Sequence, residues 1–375
     1  NYYLQVIEGT LVVKQDKPVE GEGKDYTIIG NVSPDGWYYG PNEPRVETIS
    51  TSNYNTVYVM DDPAKRAKTY EPGLFSHSVT ITAEMARHDL YIQLGNEDNH
   101  AVTSVEPLKL KIDVTPPTID TANITIDTVN NTGLQKIGHF LSFGNFFKEK
   151  LVVTVPVVDL RADGSTPDAG EVSGAESLTY YLDSDILTSA GTTIEVKDGK
   201  AVFELPLGFK GQIAFIAKDK AGNVTERASL IGIENSNYWV IENTAPEIVL
   251  TATDEDGKTA YTGNENYYRE VTVTATATDA DAGIAYILWT VTKNGEVIAE
   301  NEQELVSDNT RVMTQADFTK TFTESGAYKI TAIAYDNADN VSLESVPMEF
   351  IIDSTQPEIT VTPTQETCNA TWAKE

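Results

Sequence analysis

A short proline-containing segment occurs three times along this chain, and its spacing constrains the fold more than any other sequence feature. The pattern I-[DE]-x-T-x-P-x-I begins at Ile112, Ile241 and Ile352, at domain-sized intervals. Proline fixes φ, removes a backbone donor and keeps the preceding residue extended. Each copy also stands beside runs of strand-forming residues. The pattern therefore predicts short, stiff linkers between successive β domains.

Composition narrows the classes of protein that this chain can belong to. Its 375 residues include 57 acids and 27 bases, a formal net charge of −30, and 40% are hydrophobic. So acidic a surface repels nucleic acid and anionic lipid, while so many apolar residues exclude a disordered chain. The single cysteine, Cys368, excludes a disulfide framework. No apolar run reaches membrane-spanning length, and because neither an initiator Met nor a signal peptide opens the chain, we expect an internal piece of a longer protein.

Strand periodicity and turn chemistry indicate the fold of each domain. Residues 271–278, which lie between the second and third copies of the linker, alternate strictly between apolar residues and threonine. Residues 151–158 occupy the matching place between the first and second copies. A repeated turn, D-x-A-x-N, begins at Asp219 and Asp336, where Asp can accept hydrogen bonds from its own turn. Short strands separated by such turns are typical of antiparallel sandwiches.

The predicted architecture is all-β, with tandem antiparallel Ig-like β-sandwiches strung into an elongated rod. We expect the end of a preceding repeat over residues 1–18 and the start of a further repeat over 354–375. Between them we expect three Ig-like domains, over residues 19–113, 114–242 and 243–353.

One segment of the middle domain departs from the β pattern. Apolar residues between Leu134 and Phe147 follow a spacing closer to a helix than to a strand, which predicts a short inserted helix near 134–147. Phe140, Phe143, Phe146 and Phe147 would widen its apolar face. That face either plugs its own sandwich, which we favour, or contacts a partner.

The ordered set of motifs resembles a known family. The linkers, the D-x-A-x-N turns, residues 30–39 (GNVSPDGWYY) and residues 140–149 (FLSFGNFFKE) resemble the bacterial Ig-like repeats of large cell-wall-anchored proteins of Gram-positive gut anaerobes. The chain departs from the pattern at Glu242, at Asp339 and in a degenerate turn near Asn96. The resemblance implies a secreted stalk or adhesin without catalytic residues.

The residues themselves offer little catalytic chemistry but leave a metal site open. The four histidines lack metal-ligand spacing, and neither a nucleophile elbow nor a phosphate-binding loop is present. We therefore expect no enzyme, no catalytic residue and no cofactor. The alternative to the absence of a cofactor is a bound calcium ion. Asp219, Asp279, Asp281 and Asp336 fall in predicted loops at domain ends, and Ca²⁺ prefers such oxygen ligands. The competing interpretation is that these aspartates cap their own turns.

Two functions remain in competition at this stage. Trp37 and Tyr38 could form a platform that stacks on a sugar, or a strand could bury Trp37 and expose Tyr38. Exposed aromatics would favour a carbohydrate-binding accessory region of a secreted glycan-degrading enzyme. Buried aromatics would favour a stalk or adhesin at the bacterial cell wall, a monomer that contacts a host or neighbouring-cell protein or glycan. We expect the second, with no membrane insertion and no nucleic-acid binding.

Overall fold

The computed structural model describes residues 2–7, 10–50, 52–65, 78–96, 102–128, 138–182, 191–232, 236–259, 267–308 and 310–361. Side chains are described from residue 16 onward, except those of residues 138–140. Over these ranges strands dominate, which confirms the all-β class. Within the described ranges, helical structure is limited to α1 (Ala83–Ala86) and to 3-10 turns at Pro63–Lys65 and Thr121–Asn123. No helix among the described residues has the length and apolarity needed to cross a bilayer.

The strands up to residue 128 are short. They are β1 (Tyr2–Ile7), β2 (Thr10–Gln15), β3 (Tyr26–Ile29), β4 (Asn31–Val32), β5 (Trp37–Tyr39), β6 (Arg45–Thr48), β7 (Thr56–Met60), β8 (Ser78–Thr80), β9 (Leu90–Gly95), β10 (Glu106–Leu108), β11 (Lys111–Ile112), β12 (Thr118–Ile119) and β13 (Thr125–Thr128). The strands from residue 138 to the second linker are β14 (Gly138–Leu141), β15 (Gly144–Phe147), β16 (Leu151–Val158), β17 (Ala175–Leu182), β18 (Thr192–Glu195), β19 (Lys200–Leu205), β20 (Phe209–Asp219), β21 (Ala228–Ser229) and β22 (Tyr238–Ile241).

Most strands after the second linker are eight or more residues long. They are β23 (Glu247–Asp254), β24 (Tyr267–Tyr268), β25 (Val271–Thr278), β26 (Ile284–Lys293), β27 (Glu296–Leu305), β28 (Gln315–Phe322), β29 (Gly326–Asp336) and β30 (Met348–Ile352). Buried and half-buried residues alternate without exception along β25, as its sequence predicts.

The chain divides into two compact units. The first comprises residues 1–134, 150–232 and 237–239. Its sheets include the antiparallel orders β10-β9-β7, β3-β6-β8 and β12-β16-β13, and a longer sheet in which β20 pairs with β17 and β17 with β18. A core cluster between Tyr26 and Ile112 joins several of these small sheets, with Val46, Ile81 and Leu94 fully buried.

The second unit comprises residues 135–149, 233–236 and 240–375. Two sheets face each other here, a three-stranded one (β23-β25-β28) and a five-stranded one (β24-β30-β29-β26-β27). Their inner faces share one core that runs from Ala252 to Ile352 and includes Trp289 and Phe350. This is the sandwich predicted for the third domain. The exact domain bounds and the rod-like arrangement stay predictions.

The prediction of a helix near 134–147 is wrong for residues 138–147, the part of this segment that the structure describes. Residues 138–147 form the antiparallel hairpin β14–β15, whereas 134–137 lie outside the described residues. Glycine disfavours a helix, and Phe146 and Phe147, both 0% exposed, pack better on a pleated surface. The spacing looked helical because four consecutive residues from Gly144 to Phe147 are buried, which hides the period of two.

This hairpin is a repeat of one in the first predicted domain rather than an insertion. There β4 and β5 form the equivalent hairpin, and β5 pairs in parallel with β11, which leads into the first linker. The backbone N–H of Asp113 donates to the backbone carbonyl of Tyr38 at 2.9 Å, and that of Glu242 donates to the backbone carbonyl of Phe147 at 2.9 Å. Asp353 donates to Tyr268 in the same way, at 2.8 Å. The backbone of each linker acid is thus bonded to the carbonyl of one aromatic residue on another strand.

Candidate metal centres

Two clusters of three carboxylates stand out among the described residues. The first centre consists of Asp113, Asp159 and Asp219, and the second consists of Glu242, Asp279 and Asp336. Within each, one oxygen from every residue lies within 4.8 Å of the others. The two centres are built from equivalent positions, since each combines a linker acid with two acids at strand ends.

Each of the six carboxylates stands at or directly after the end of a strand. The linker acids Asp113 and Glu242 follow β11 and β22 directly. Asp159 and Asp279 follow β16 and β25, and Asp219 and Asp336 end β20 and β29. Each linker acid also accepts a hydrogen bond from the N–H two residues later, at 3.3 Å for Thr115 and 2.6 Å for Thr244. This turn holds the carboxylate at the start of the linker.

In the first centre, backbone groups satisfy most of the carboxylate oxygens. Asp113 Oδ2 accepts from the Ser173 N–H at 2.7 Å, and Asp159 Oδ2 accepts from the Gly174 N–H at 2.7 Å. Asp219 Oδ1 accepts from two N–H groups of its own turn, those of Gly222 at 2.6 Å and Asn223 at 2.8 Å. These bonds orient the three carboxylates, each of which places one oxygen within 4.8 Å of the others.

One oxygen of the first centre has no donor. Asp159 Oδ1 is buried and lacks a hydrogen-bond partner. Asp113 and Asp219 beside it are 2% and 0% exposed. A buried carboxylate oxygen that faces other carboxylates requires a proton or a cation, because both desolvation and repulsion oppose the charge. The geometry of this oxygen therefore points to a ligand-binding position.

The second centre is closed by hydrogen bonds. Asp336 Oδ1 accepts from the backbone N–H groups of Ala338 and Asn340, both at 2.8 Å. The Asn340 side-chain amide donates to Asp336 Oδ2 and to Glu242 Oε1, again at 2.8 Å each. Asp279 Oδ1 accepts from the N–H of Gly283 at 2.8 Å. Within the described chain, this centre contains no buried oxygen without a partner.

Burial raises the pKa of Asp159, Asp219 and Asp336. Burial, followed by the charge of Asp113, raises the pKa of Asp159 to about 7. Burial, assisted by the contact with Glu242, raises the pKa of Asp336 to about 8, and burial raises the pKa of Asp219 as well. No basic side chain of the described residues forms an ion pair with any of the six carboxylates. Within the described part of the chain, each centre therefore brings three acidic groups together without a basic partner.

The turn that carries Asp219 also docks on the preceding predicted domain. The Asn223 side-chain amide donates to the Asp113 carbonyl at 2.7 Å and to Asp219 Oδ2 at 2.8 Å. Its Oδ1 accepts from the Gly40 N–H at 2.9 Å. Gly222 lies against the ring of Tyr39, where an added Cβ would stand 3.0 Å from a ring carbon. The linker, the turn and the aromatic hairpin thus form one connected contact.

Replacing Gly222 with alanine is expected to lower the free energy of unfolding by about 1–3 kcal/mol. Its φ of +118° disfavours any side chain, and the new Cβ would press on Tyr39. Gly208→Ala is the matched control, because Gly208 has a φ of +84° with nothing within 4 Å of the added Cβ. Chemical denaturation of both variants measures the difference. Equal losses would mean that contact with Tyr39 contributes nothing.

The structure brings together three of the four predicted calcium candidates, in two different centres. Asp219 lies in the first centre, and Asp279 and Asp336 lie in the second. Asp281 contributes no carboxylate to either centre, although its N–H donates to Asp279 Oδ1 at 3.1 Å. The capping interpretation also holds, because Asp219 and Asp336 accept from their own turns as described above. Capping and clustering are compatible, since each carboxylate has two oxygens.

Sequence reasoning missed Asp113, Asp159 and Glu242 as members of the centres. The signal was present, because the second position of the linker motif is acidic in all three copies. In the third copy of the linker motif the acid is Asp353. Asp353 accepts from Thr355 at 3.1 Å as its counterparts do, but it is exposed. In both centres, the two further carboxylates come from residues that follow the linker.

The aromatic candidates are largely buried. Trp37 is 8% exposed, with the Lys111 Nζ 5.7 Å from its ring centroid, and Tyr38 is half-buried. Phe146 and Phe147 are inaccessible to a partner, and Phe143 is half-buried against Phe146. Phe140 belongs to β14, but its side chain lies outside the described residues. No exposed aromatic platform forms at these positions.

Comparison with known proteins gives structural neighbours only. No protein-family model and no curated protein sequence matches the chain. The solved structures similar to it include a region of a 1.5-MDa bacterial ice-binding adhesin involved in host cell surface retention, with 11% identity, 91% of this chain and 99% of that chain covered, and a TM-score of 0.27. A putative membrane-anchored protein from Corynebacterium diphtheriae has 11% identity, coverage of 94% and 92%, and a TM-score of 0.20. Latent PorU from Porphyromonas gingivalis has 13% identity, coverage of 94% and 34%, and a TM-score of 0.20.

Proposed function

We propose that this chain is a non-catalytic stalk segment of an extracellular bacterial surface protein, stiffened by a divalent cation at the first centre. The observation that carries the proposal is the burial of a linker carboxylate, Asp113, against two carboxylates of the domain that follows. A cation held there cross-links the linker to two separate turns of that domain. Such a link restricts the angle between successive domains. A segment that projects a binding domain away from the cell needs this stiffness.

Calcium is the cation that the donor set fits best. Ca²⁺ takes six to eight oxygen ligands from carboxylates, carbonyls and water. The first centre supplies three aspartates, and one of their oxygens, Asp159 Oδ1, is buried without a donor. Among the described residues, neither sulfur nor imidazole lies in either centre, which disfavours zinc and copper. A cation here would replace the proton that burial favours on Asp159.

Burial of tryptophan supports a stalk over a carbohydrate-binding region. The three tryptophans that the structure describes, Trp37, Trp239 and Trp289, are 8%, 0% and 1% exposed. A sugar platform needs an exposed ring face, and burial removes it. Repeated domains with short proline linkers, together with the family resemblance, further support a bacterial cell-surface location and a structural or adhesive role.

Small-angle scattering of the full chain in Ca²⁺ is expected to give a maximum dimension of roughly 100 Å or more, because three sandwiches of about 30–40 Å would lie end to end. Adding EDTA should broaden the distance distribution as the first junction loosens. A compact globule in both conditions would contradict the proposal. Specific binding on a glycan array would favour the accessory-region alternative instead.

A further inference from the structure

The acidic side chains of the two centres differ by one methylene group, because the linker acid is Asp113 in the first centre and Glu242 in the second. This difference changes the hydrogen-bond partner of the neighbouring asparagine amide, that of Asn223 or Asn340. In the first centre the linker acid is aspartate, and the Asn223 amide bonds the Asp113 backbone carbonyl at 2.7 Å. In the second, the longer Glu242 brings Oε1 to within 2.8 Å of the Asn340 amide. The same amide lies 3.4 Å from the Glu242 carbonyl, a much weaker contact.

In both centres the amide donates to the aspartate that begins its own turn, Asp219 Oδ2 or Asp336 Oδ2. Only in the second centre does it also donate to the linker carboxylate. In the first centre, the Asp113 carboxylate takes its hydrogen bonds from the backbone N–H groups of Thr115 and Ser173 and from no side chain. Asp159 Oδ1, in the same centre, has no donor. In the second, the Asn340 amide lies between Glu242 and Asp336 and donates to both. A cation would have to displace an existing amide hydrogen bond there.

We propose that the two centres are functionally unequal, so that the first binds one calcium ion and the second is a metal-free lock made by Asn340. This inference rests on the proposed function for the first centre. The residue at the acidic position of the linker motif would then decide the chemistry of each junction. Aspartate marks a calcium-dependent junction, and glutamate marks a junction held by the protein's own hydrogen bonds.

Isothermal titration of the metal-free full chain with CaCl₂ tests the inference. We expect one ion per chain and a loss of that ion in Asp159→Asn. Glu242→Asp should raise the count to two, because the amide can return to the backbone carbonyl and release the carboxylate. Asp113→Glu should weaken binding at least tenfold. The exposed Asp89→Glu, with the same added methylene, should leave binding unchanged, and thermal melts confirm that each variant folds.

The outcomes separate the two proposals. Two ions in the parent chain, with one lost in Asp279→Asn, would overturn the inequality and leave the calcium-stiffened stalk intact. No calcium uptake by the parent would overturn both. One ion in Glu242→Asp, with Asp113→Glu still binding normally, would show that the methylene is not the determinant and would overturn the inference alone.

Discussion

Phe147→Ala is expected to lower the free energy of unfolding by about 3–5 kcal/mol, the usual cost of removing a fully buried aromatic ring. Phe147 is 0% exposed, and its carbonyl accepts the N–H of the linker acid Glu242 at 2.9 Å. The cavity would therefore open directly beneath the start of the second linker. Denaturant unfolding of the full chain, followed by the fluorescence of buried tryptophans, measures the loss.

Phe143→Ala is the matched control for this prediction. It removes the same ring from the same hairpin, but Phe143 is half-buried at the turn and contacts Phe146 edge-on, with ring centroids 5.7 Å apart. Its loss should cost about 1 kcal/mol. If Phe143→Ala cost as much as Phe147→Ala, the hairpin would have to pack through its turn rather than through β15.

The metal-free protein is expected to lose stability as pH rises from about 4 to about 8. An unfolded aspartate has a pKa of about 3.9, whereas the folded pKa is about 7 for Asp159 and about 8 for Asp336. Between these values the folded state binds more protons than the unfolded state, so the free energy of unfolding falls with pH. Thermal melts in EDTA across this range provide the measurement.

Calcium should reverse part of this loss, and more strongly at pH 8 than at pH 5. The ion replaces the proton in the first centre, so it competes best where the carboxylates are already ionised. At about 100 times its dissociation constant, an ion that binds only the folded state adds about 2.7 kcal/mol. Asp159→Asn should show no calcium gain at either pH. A gain that is larger at pH 5 would contradict carboxylate ligation.

Much of the fold follows from local sequence. Alternation along β25 predicts its buried face, and the turns that begin at Asp219 and Asp336 predict their own capping hydrogen bonds. The hairpin β14–β15 was misassigned because local spacing cannot distinguish a short strand buried on both faces from a helix. Its equivalence to β4–β5 became visible only through pairing with the strand before each linker.

Sequence alone determined the repeated acid of the linker motif and the acids at strand ends, but not that they meet. Asp113 is separated from Asp159 and Asp219 by 46 and 106 positions, and no local rule brings such distant residues together. The tertiary structure decided this, because docking of each domain on the preceding linker buries the acid among two others. It also decided the difference between the centres. One methylene at Glu242 changes an amide's partner only when Asn340 is packed within 3 Å of it.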